Sequence, residues 1–136
     1  MDSRSIALDK EHDIAVARNE VRLIAAKVGF RLTDQTRLAT VASELARNVI
    51  KYARRGRLII VEVERGFARG GGRGLRLIFE DKGPGISDTA AAMRDGYSTG
   101  GGVGKGLPGS KRLVDEFTLE SAPGQGTRVT VVRWVS

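Results

Sequence analysis

The chain has 136 residues, a length that predicts one domain over residues 1–136. Because it has no Cys and one His, disulfides, iron–sulfur clusters, zinc–thiolate sites and Cys nucleophiles are excluded. The net charge of +7 is spread along the chain and aromatic residues make up only 5%, so we expect no nucleic-acid partner. No apolar run approaches the roughly 20 residues of a membrane span, and the N-terminal segment has no signal-peptide core. We therefore expect a cytoplasmic protein without membrane association.

The first half of the chain is predicted to be mostly helical. Alternating apolar residues predict a short strand over residues 5–9, and helical spacing predicts a helix over 11–28 that ends at Gly29. A second helix, which we expect Thr33 to cap, runs to about Arg54. Each helix has one apolar face, which must be buried against another layer of the protein.

The second half predicts strands separated by turns and by glycine-rich segments. The predicted elements are, in order, strands over 58–63 and 75–79, a short helix over about 88–95, a glycine-rich lid over 96–109, a helix over 107–116, and strands over 117–121 and 127–135. Strands and helices in this order predict the fold class α/β. We expect a two-layer sandwich in which helices cover one face of a mixed sheet.

The second helix carries polar residues with chemical potential. Glu44 and Asn48 are four residues apart, so they project from the same side of the helix, and Lys51 extends that line. A carboxylate there can act as a general base, and an amide oxygen can join phosphate oxygens and waters around Mg²⁺. Taken alone, the same pair is typical of any polar helix edge.

A second motif ends the strand over 75–79. Asp81 is followed by Gly83 and Gly85, where the backbone can approach a flat ligand closely. The Asp81 carboxylate can accept a hydrogen bond from an exocyclic amine. The same Asp-x-Gly-Pro-Gly sequence is also favourable turn chemistry, so the motif by itself leaves both interpretations open.

The glycine-rich segment carries a third motif. Gly104-x-Gly106-x-x-Gly109 has the spacing of a dinucleotide fingerprint but follows no strand, so a Rossmann site is excluded. A Walker A loop is excluded because Gly106 stands where Ser or Thr must bind the metal. A glycine-rich segment that enters a helix N-terminus still offers free N–H groups to phosphates, and Lys105 adds positive charge.

The order of these motifs resembles that of the GHKL ATPases. The matching segments are Glu44-Leu-Ala-Arg-Asn48, Asp81-Lys-Gly83-Pro-Gly85, the glycines from Gly100 to Gly109, and Gly124-Gln-Gly126-Thr127. Within that family, SELARN, EDKGPGI and DGYSTGGGVGKGLPGSKRLVDEF resemble the serine/threonine switch kinases of bacterial stressosomes. The resemblance covers nearly the whole chain and implies the Bergerat fold, which is also a helix-on-sheet sandwich.

The resemblance implies a role for each matching residue. Glu44 would be the catalytic base, Asn48 the Mg²⁺ ligand and Asp81 the acceptor for the adenine amino group. The other matching residues would contact ATP: Gly83 and Gly85 at the adenine pocket, Thr127 on the adenine side, and Lys51, Gly100, Gly102, Gly104, Lys105 and Gly106 near the phosphates.

The resemblance also implies a function and its partners. It implies a kinase that uses ATP and Mg²⁺ to phosphorylate a Ser or Thr of a STAS-domain protein and that, when released, activates a PP2C-type phosphatase. An anti-sigma factor, which binds a sigma factor and phosphorylates its antagonist, is the alternative. A binding module without transfer activity is a third possibility, against which the presence of both Glu44 and Asn48 argues.

His12 opens the first helix without a following Pro, and we expect it to have a structural or solvated role.

Overall fold

A computed structural model describes residues 3–93 and 103–136, with the side chains of all of these except Arg69 and residues 103–106. The elements are β1 (Ser3–Leu8), α1 (His12–Val28), α2 (Leu32–Ala53), β2 (Gly56–Glu64), a 3-10 turn (Phe67–Arg69), β3 (Arg73–Asp81), α3 (Thr89–Ala92), α4 (Val103–Arg112), β4 (Glu116–Ser121) and β5 (Thr127–Trp134). None of the helices in these ranges is both long enough and apolar enough to cross a membrane.

The five strands form one sheet in the order β1-β2-β3-β5-β4. The predicted two-layer α/β arrangement is confirmed, but the expectation of a mixed sheet is wrong, because each of these neighbouring pairs is antiparallel. The paired helices explain the difference. The chain leaves β1, runs back along α1 and forward along α2, and so enters β2 in the opposite direction to β1. β3 and β4 do run in the same direction, but β5 lies between them.

The core lies between the helices and one face of the sheet. Along β3, Leu75, Leu77 and Phe79 are buried, whereas Arg76 and Glu80 on the other face are more exposed. This alternation is typical of a sheet that is covered on one side. The longest helix, α2, contributes a buried stripe with helical spacing to the same core: Leu38, Val41, Ala42, Leu45 and Val49.

The N-terminus of α2 differs from the prediction. The prediction that Thr33 caps this helix is wrong, because the helix begins at Leu32, with extended backbone at Arg31 and no side-chain cap. Asp34 in the first turn is instead buried, and its Oδ1 accepts hydrogen bonds from Arg133 of β5 at 2.8 Å and from Arg37 at 3.0 Å. A tertiary ion pair therefore fixes this end of α2.

The predicted lid differs from the structure as well. Residues 96–102 of the lid lie outside the described residues, whereas the backbone from Val103 is already helical and α4 ends at Arg112 instead of 116. Propensity disfavours a helix with several glycines and an internal proline, Pro108. Packing outweighs propensity here, because Leu107 and Ser110 are buried beside α2.

Candidate functional site

A cavity of about 200 Å³ lies between α2, α4 and the ends of β3 and β5. Polar side chains enter its lining from three elements: Asn48 from α2, Asp81 from β3 and Thr127 from β5. Successive turns of α2 supply one wall, because residues three and four apart share a helix face. The rest of the lining is mainly apolar: Leu45, Val49, Tyr52, Ala53, Phe79, Pro84, Gly85, Ile86, Leu107 and Val129. Such a lining suits a small organic ligand with a few polar groups.

Asp81 is the acidic residue of this cavity. It ends β3 and is half-buried, and its Oδ1 accepts a hydrogen bond from the backbone N–H of Gly83 at 2.9 Å. Burial raises the pKa of the Asp81 carboxyl, and backbone hydrogen bonds from Gly83 and Thr127 oppose that rise. A carboxylate in apolar surroundings is a strong acceptor for a ligand N–H group.

Ser121, at the end of β4, connects the segments around the cavity. Its Oγ donates a hydrogen bond to Gly126 O at 2.9 Å and accepts one from Ile86 N at 2.8 Å. Because a serine hydroxyl has one hydrogen, the 2.9 Å contact between Ser121 and Thr127 is donated by the Thr127 hydroxyl. Thr127 Oγ1 therefore offers lone pairs to the cavity. The motifs did not identify Ser121, and the available signal was its place at a strand end.

Three glycines allow close backbone approach around Asp81. Gly85 has a φ of 78°, and a Cβ there would meet the carbonyl of Ala122. Gly126 has a φ of 76°, and a Cβ there would meet the carbonyl of Asp81. At Gly83, a Cβ would lie 2.6 Å from the Cβ of Ala53 on α2. Larger residues would therefore force apart the segments that shape the cavity.

Asn48 has an unsatisfied polar atom at this site. Its Nδ2 is buried and, among the described residues, has no hydrogen-bond partner. Such groups are rare in folded proteins and commonly mark a missing ligand or solvent molecule. Because the two ends of an amide exchange on a half-turn, Asn48 can direct either Nδ2 or Oδ1 to that position.

Two predicted residues of α2 do not line the cavity. Glu44 lies one turn before Asn48, is 45% exposed in its side chain and accepts a hydrogen bond from Arg47 at 3.3 Å. Lys51 is exposed, and its ammonium group lies 5.4 Å from the ring centre of Tyr52. The structure therefore brings Asn48 to the cavity and leaves Glu44 and Lys51 on the adjoining surface.

The predicted phosphate-binding glycines are only partly described. Gly104, Lys105 and Gly106 belong to the first turn of α4, of which the structure describes the backbone. Gly100 and Gly102 lie outside the described residues. α4 reaches the cavity through Leu107, so its N-terminal turn precedes a residue of the cavity wall.

Known proteins provide an independent comparison. Residues 33–135 match a family model described as histidine kinase-, DNA gyrase B-, and HSP90-like ATPase. The chain is 46% identical over 134 residues to serine/threonine-protein kinase RsbT of Bacillus subtilis, with 98% of each chain covered. It is 27% identical over 131 residues to the anti-sigma F factor of Thermoanaerobacter sp., covering 94% of this chain and 90% of that protein.

A solved histidine kinase domain from Erythrobacter litoralis EL346 aligns with a TM-score of 0.49 and 18% identity, over 90% of this chain and 59% of that chain. The family model includes the segments of α2, β3 and β5 that supply Asn48, Asp81 and Thr127. The match over residues 33–135 and the high identity to RsbT agree with the GHKL resemblance of the motifs. The chain therefore belongs to the histidine kinase-, DNA gyrase B-, and HSP90-like ATPase family.

Proposed function

We propose that this chain is a protein serine/threonine kinase that uses ATP and Mg²⁺ to phosphorylate a STAS-domain regulator in a stress-response partner-switching pathway. The observation that carries the proposal is the cavity in which Asn48, Asp81 and Thr127 meet. The family match supports ATP binding, and the 46% identical relative RsbT is a serine/threonine-protein kinase. The proposal includes one ATPase domain over residues 1–136 and a location in the cytoplasm, where ATP is abundant.

Asp81 and Thr127 select the base of the nucleotide. Both present acceptors to the cavity, one as a carboxylate and one as a hydroxyl whose hydrogen is donated to Ser121. Adenine places an amino group at the edge where guanine has a carbonyl, so two acceptors favour adenine. Gly83 and Gly85 shape this end of the cavity, because a Cβ at either position would force the neighbouring segments apart.

Asn48 fits a role in holding Mg²⁺. Among the described residues, no group of three or more His, Asp or Glu side chains could form a metal site. Mg²⁺ retains several waters and commonly uses one or two protein ligands together with substrate phosphates. The buried Nδ2 of Asn48 has no partner among the described residues, and a half-turn of the amide would place Oδ1 there, which suits that small share of the ligands. The chemistry that Mg²⁺ supplies when bound is neutralisation of phosphate charge.

Glu44 acts as the base on the protein substrate. It projects from the same side of α2 as Asn48, one turn away. Its side chain is 45% exposed, so a hydroxyl on another protein can reach it. The carboxylate orients or deprotonates that hydroxyl, while most of the acceleration comes from positioning and charge neutralisation.

The phosphates lie toward the N-terminus of α4. Free N–H groups of a helix N-terminus attract anions, and Gly104, Lys105 and Gly106 occupy this turn. Gly100 and Gly102, on the N-terminal side of this turn, and Lys51 on α2 complete the proposed set of phosphate contacts.

Partner switching is the second part of the proposal. After release from the STAS partner, the chain activates a PP2C-type phosphatase. The alternative is an anti-sigma factor that binds a sigma factor and phosphorylates its antagonist. The 27% identity to an anti-sigma F factor is the observation that supports this alternative. An assay of direct binding to a sigma factor would distinguish the two functions.

The proposed reaction is tested by intact-mass spectrometry of a STAS-domain protein encoded beside this chain, after incubation with ATP, Mg²⁺ and the kinase. We expect wild-type protein to add phosphate to the STAS protein. Glu44→Gln is expected to bind ATP normally and to transfer phosphate roughly 10²- to 10⁴-fold more slowly, because it lacks the base. Glu20→Gln is the control, since Glu20 also pairs with an exposed arginine, Arg4, but lies on α1.

Equal transfer by wild type and Glu44→Gln would remove Glu44 from the mechanism. If wild-type protein binds ATP but transfers no phosphate to the STAS protein, the kinase proposal fails in favour of a binding module. Capture of a sigma factor together with transfer to its antagonist would favour the anti-sigma alternative.

A further inference from the structure

A row of alternating charges crosses four strands on the face of the sheet that the helices leave open. Backbone register places Arg57 of β2 opposite Glu80 of β3, and Glu80 opposite Arg128 of β5. Arg128 in turn lies opposite Glu120 of β4. Opposite charges in directly opposed positions attract across the strands.

Glu80 lies at the centre of this row and is bound from both sides. Its Oε1 accepts a hydrogen bond from Arg57 Nε at 2.8 Å, and its Oε2 accepts one from Arg128 Nε at 2.9 Å. The Glu80 side chain is 19% exposed, whereas the two arginines are more than half exposed. The hydrogen bond from Arg57, followed by that from Arg128, holds the pKa of Glu80 below its usual range. One ionised carboxylate thus connects β2, β3 and β5.

The next row of the sheet belongs to the candidate site. Asp81 follows Glu80 on β3, and register places it between Gly56 of β2 and Thr127 of β5. Because side chains alternate along a strand, Glu80 and Asp81 point to opposite faces. Asp81 and Thr127 also line a second cavity of about 890 Å³, which Glu80 lines from the open face. The charged row and the candidate site therefore both contribute residues to the lining of this second cavity.

The backbone is tightly packed on both sides of Asp81. A Cβ at Gly56 would meet the carbonyl of Glu80, and a Cβ at Gly126 would meet the carbonyl of Asp81. The backbone ladder holds these strands together, and the glycines provide no side chain that adds to it. The ion pairs of Glu80 supply an attraction between the same strands, one row away.

We propose that Glu80 is a positioning residue for base selection, because its ion pairs with Arg57 and Arg128 fix the spacing of the acceptors Asp81 and Thr127. The inference rests on the proposed nucleotide site and identifies a residue outside the small cavity on which its specificity depends. A single ion pair with an exposed partner contributes little to stability, but several charges in one network contribute more, and Glu80 is bound from both sides at 2.8 and 2.9 Å. Binding groups must be held within roughly 0.5 Å of the productive position to be effective.

The test compares Glu80→Gln, which keeps the side-chain shape, with the control Glu62→Gln. Glu62 pairs with Arg73 at 3.6 Å near the other end of the same β2–β3 hairpin. Calorimetry measures affinity for ATP and for purine riboside triphosphate, which lacks the amino group, and a thermal melt gives Tm. We expect Glu80→Gln to weaken ATP binding about tenfold and to reduce the preference for ATP, with Glu62→Gln unchanged. Arg128→Gln removes one of the same ion pairs from the other side and is expected to reduce the preference even if Glu80→Gln folds poorly.

Retention of wild-type ATP preference in both Glu80→Gln and Arg128→Gln would overturn the inference and leave the proposed function intact. Equal weakening of both nucleotides, with a parallel fall in Tm, would also overturn it, because Glu80 would then act through stability alone. Wild-type protein that binds no ATP would overturn the proposed function and this inference together.

Discussion

Replacement of Asp81 by Asn is expected to remove the preference of the cavity for a base that carries an amino group. Asn has nearly the same size as Asp, and its Oδ1 can still accept the 2.9 Å hydrogen bond from Gly83 N. The hydrogen bond from Gly83 is therefore retained. The second carboxylate oxygen, however, becomes an NH₂ group, which donates a hydrogen bond instead of accepting one.

The expected loss follows from the chemistry of that one contact. A hydrogen bond to a charged acceptor contributes about 1.5–3 kcal/mol, and the variant replaces the acceptor by a donor that faces the adenine amino group. Burial of Asp81 in a mainly apolar cavity excludes much of the water that could otherwise compensate. The affinity for ATP should therefore fall by roughly 10- to 150-fold.

A ligand–protein double-mutant cycle isolates this contact. Isothermal titration calorimetry gives the affinities of wild type and Asp81→Asn for ATP and for purine riboside triphosphate. The wild type should prefer ATP, and the variant should bind the two nucleotides with similar affinity. Asp88→Asn is the matched control, because Asp88 Oδ1 also accepts a backbone N–H, from Ala91 at 2.9 Å, but does not line the cavity. Equal weakening of both nucleotides by Asp81→Asn would refute the assignment of Asp81 to the amino group.

Two further predictions concern the same corner of the fold. The raised pKa of Asp81 means that the folded chain binds this proton more tightly than the unfolded chain. Its contribution to stability is thus fully present below the ordinary aspartate pKa of 3.8 and is lost as pH rises through the folded pKa, whereas ATP affinity falls as pH decreases. Between about pH 4 and 7, denaturant melts should show that wild type loses stability relative to Asp81→Asn as pH rises. ATP titrations over the same range should show that the affinity of wild type rises relative to the variant. The same pH dependence in both proteins would contradict the raised pKa of Asp81. Gly126→Ala should destabilise the protein by more than Gly124→Ala in chemical denaturation, since both glycines have positive φ but a Cβ at Gly124 meets nothing within 4 Å. Backbone strain alone costs roughly 1–2 kcal/mol, and equal losses would show that the approach to Asp81 is unimportant.

Much of the fold could be predicted because local signals were strong. The apolar spacing of α1 and α2 and the stop at Gly29 gave helices whose observed ends lie within a residue or two of the prediction. The start of α4 could not be predicted, because its glycines and Pro108 disfavour a helix, and burial of Leu107 beside α2 reverses that preference. The prediction of strand direction was also wrong, since periodicity identifies a strand but not the strands that pair with it.

The candidate site was predicted in part. Asn48, Asp81 and Thr127 lie on separate elements, and the order of family motifs, more than any local spacing, indicated that they would meet. The individual roles of these residues and of Glu44 stay predictions. Ser121 was missed because its importance comes from three hydrogen bonds to other segments, and a lone serine at a strand end carries no local pattern.

The position of β5 in the sheet has a consequence for synthesis of the chain. β5 is the last of the described strands in chain order, yet it lies inside the sheet between β3 and β4 and brings Thr127 and Val129 to the small cavity. When α2, β2 and β3 have emerged from the ribosome, β2 and β3 can already pair and pack against α2. The cavity still lacks the residues that β5 contributes. The small cavity is therefore complete only after β5 has emerged, because a chain without this strand lacks Thr127 and Val129 in the cavity wall.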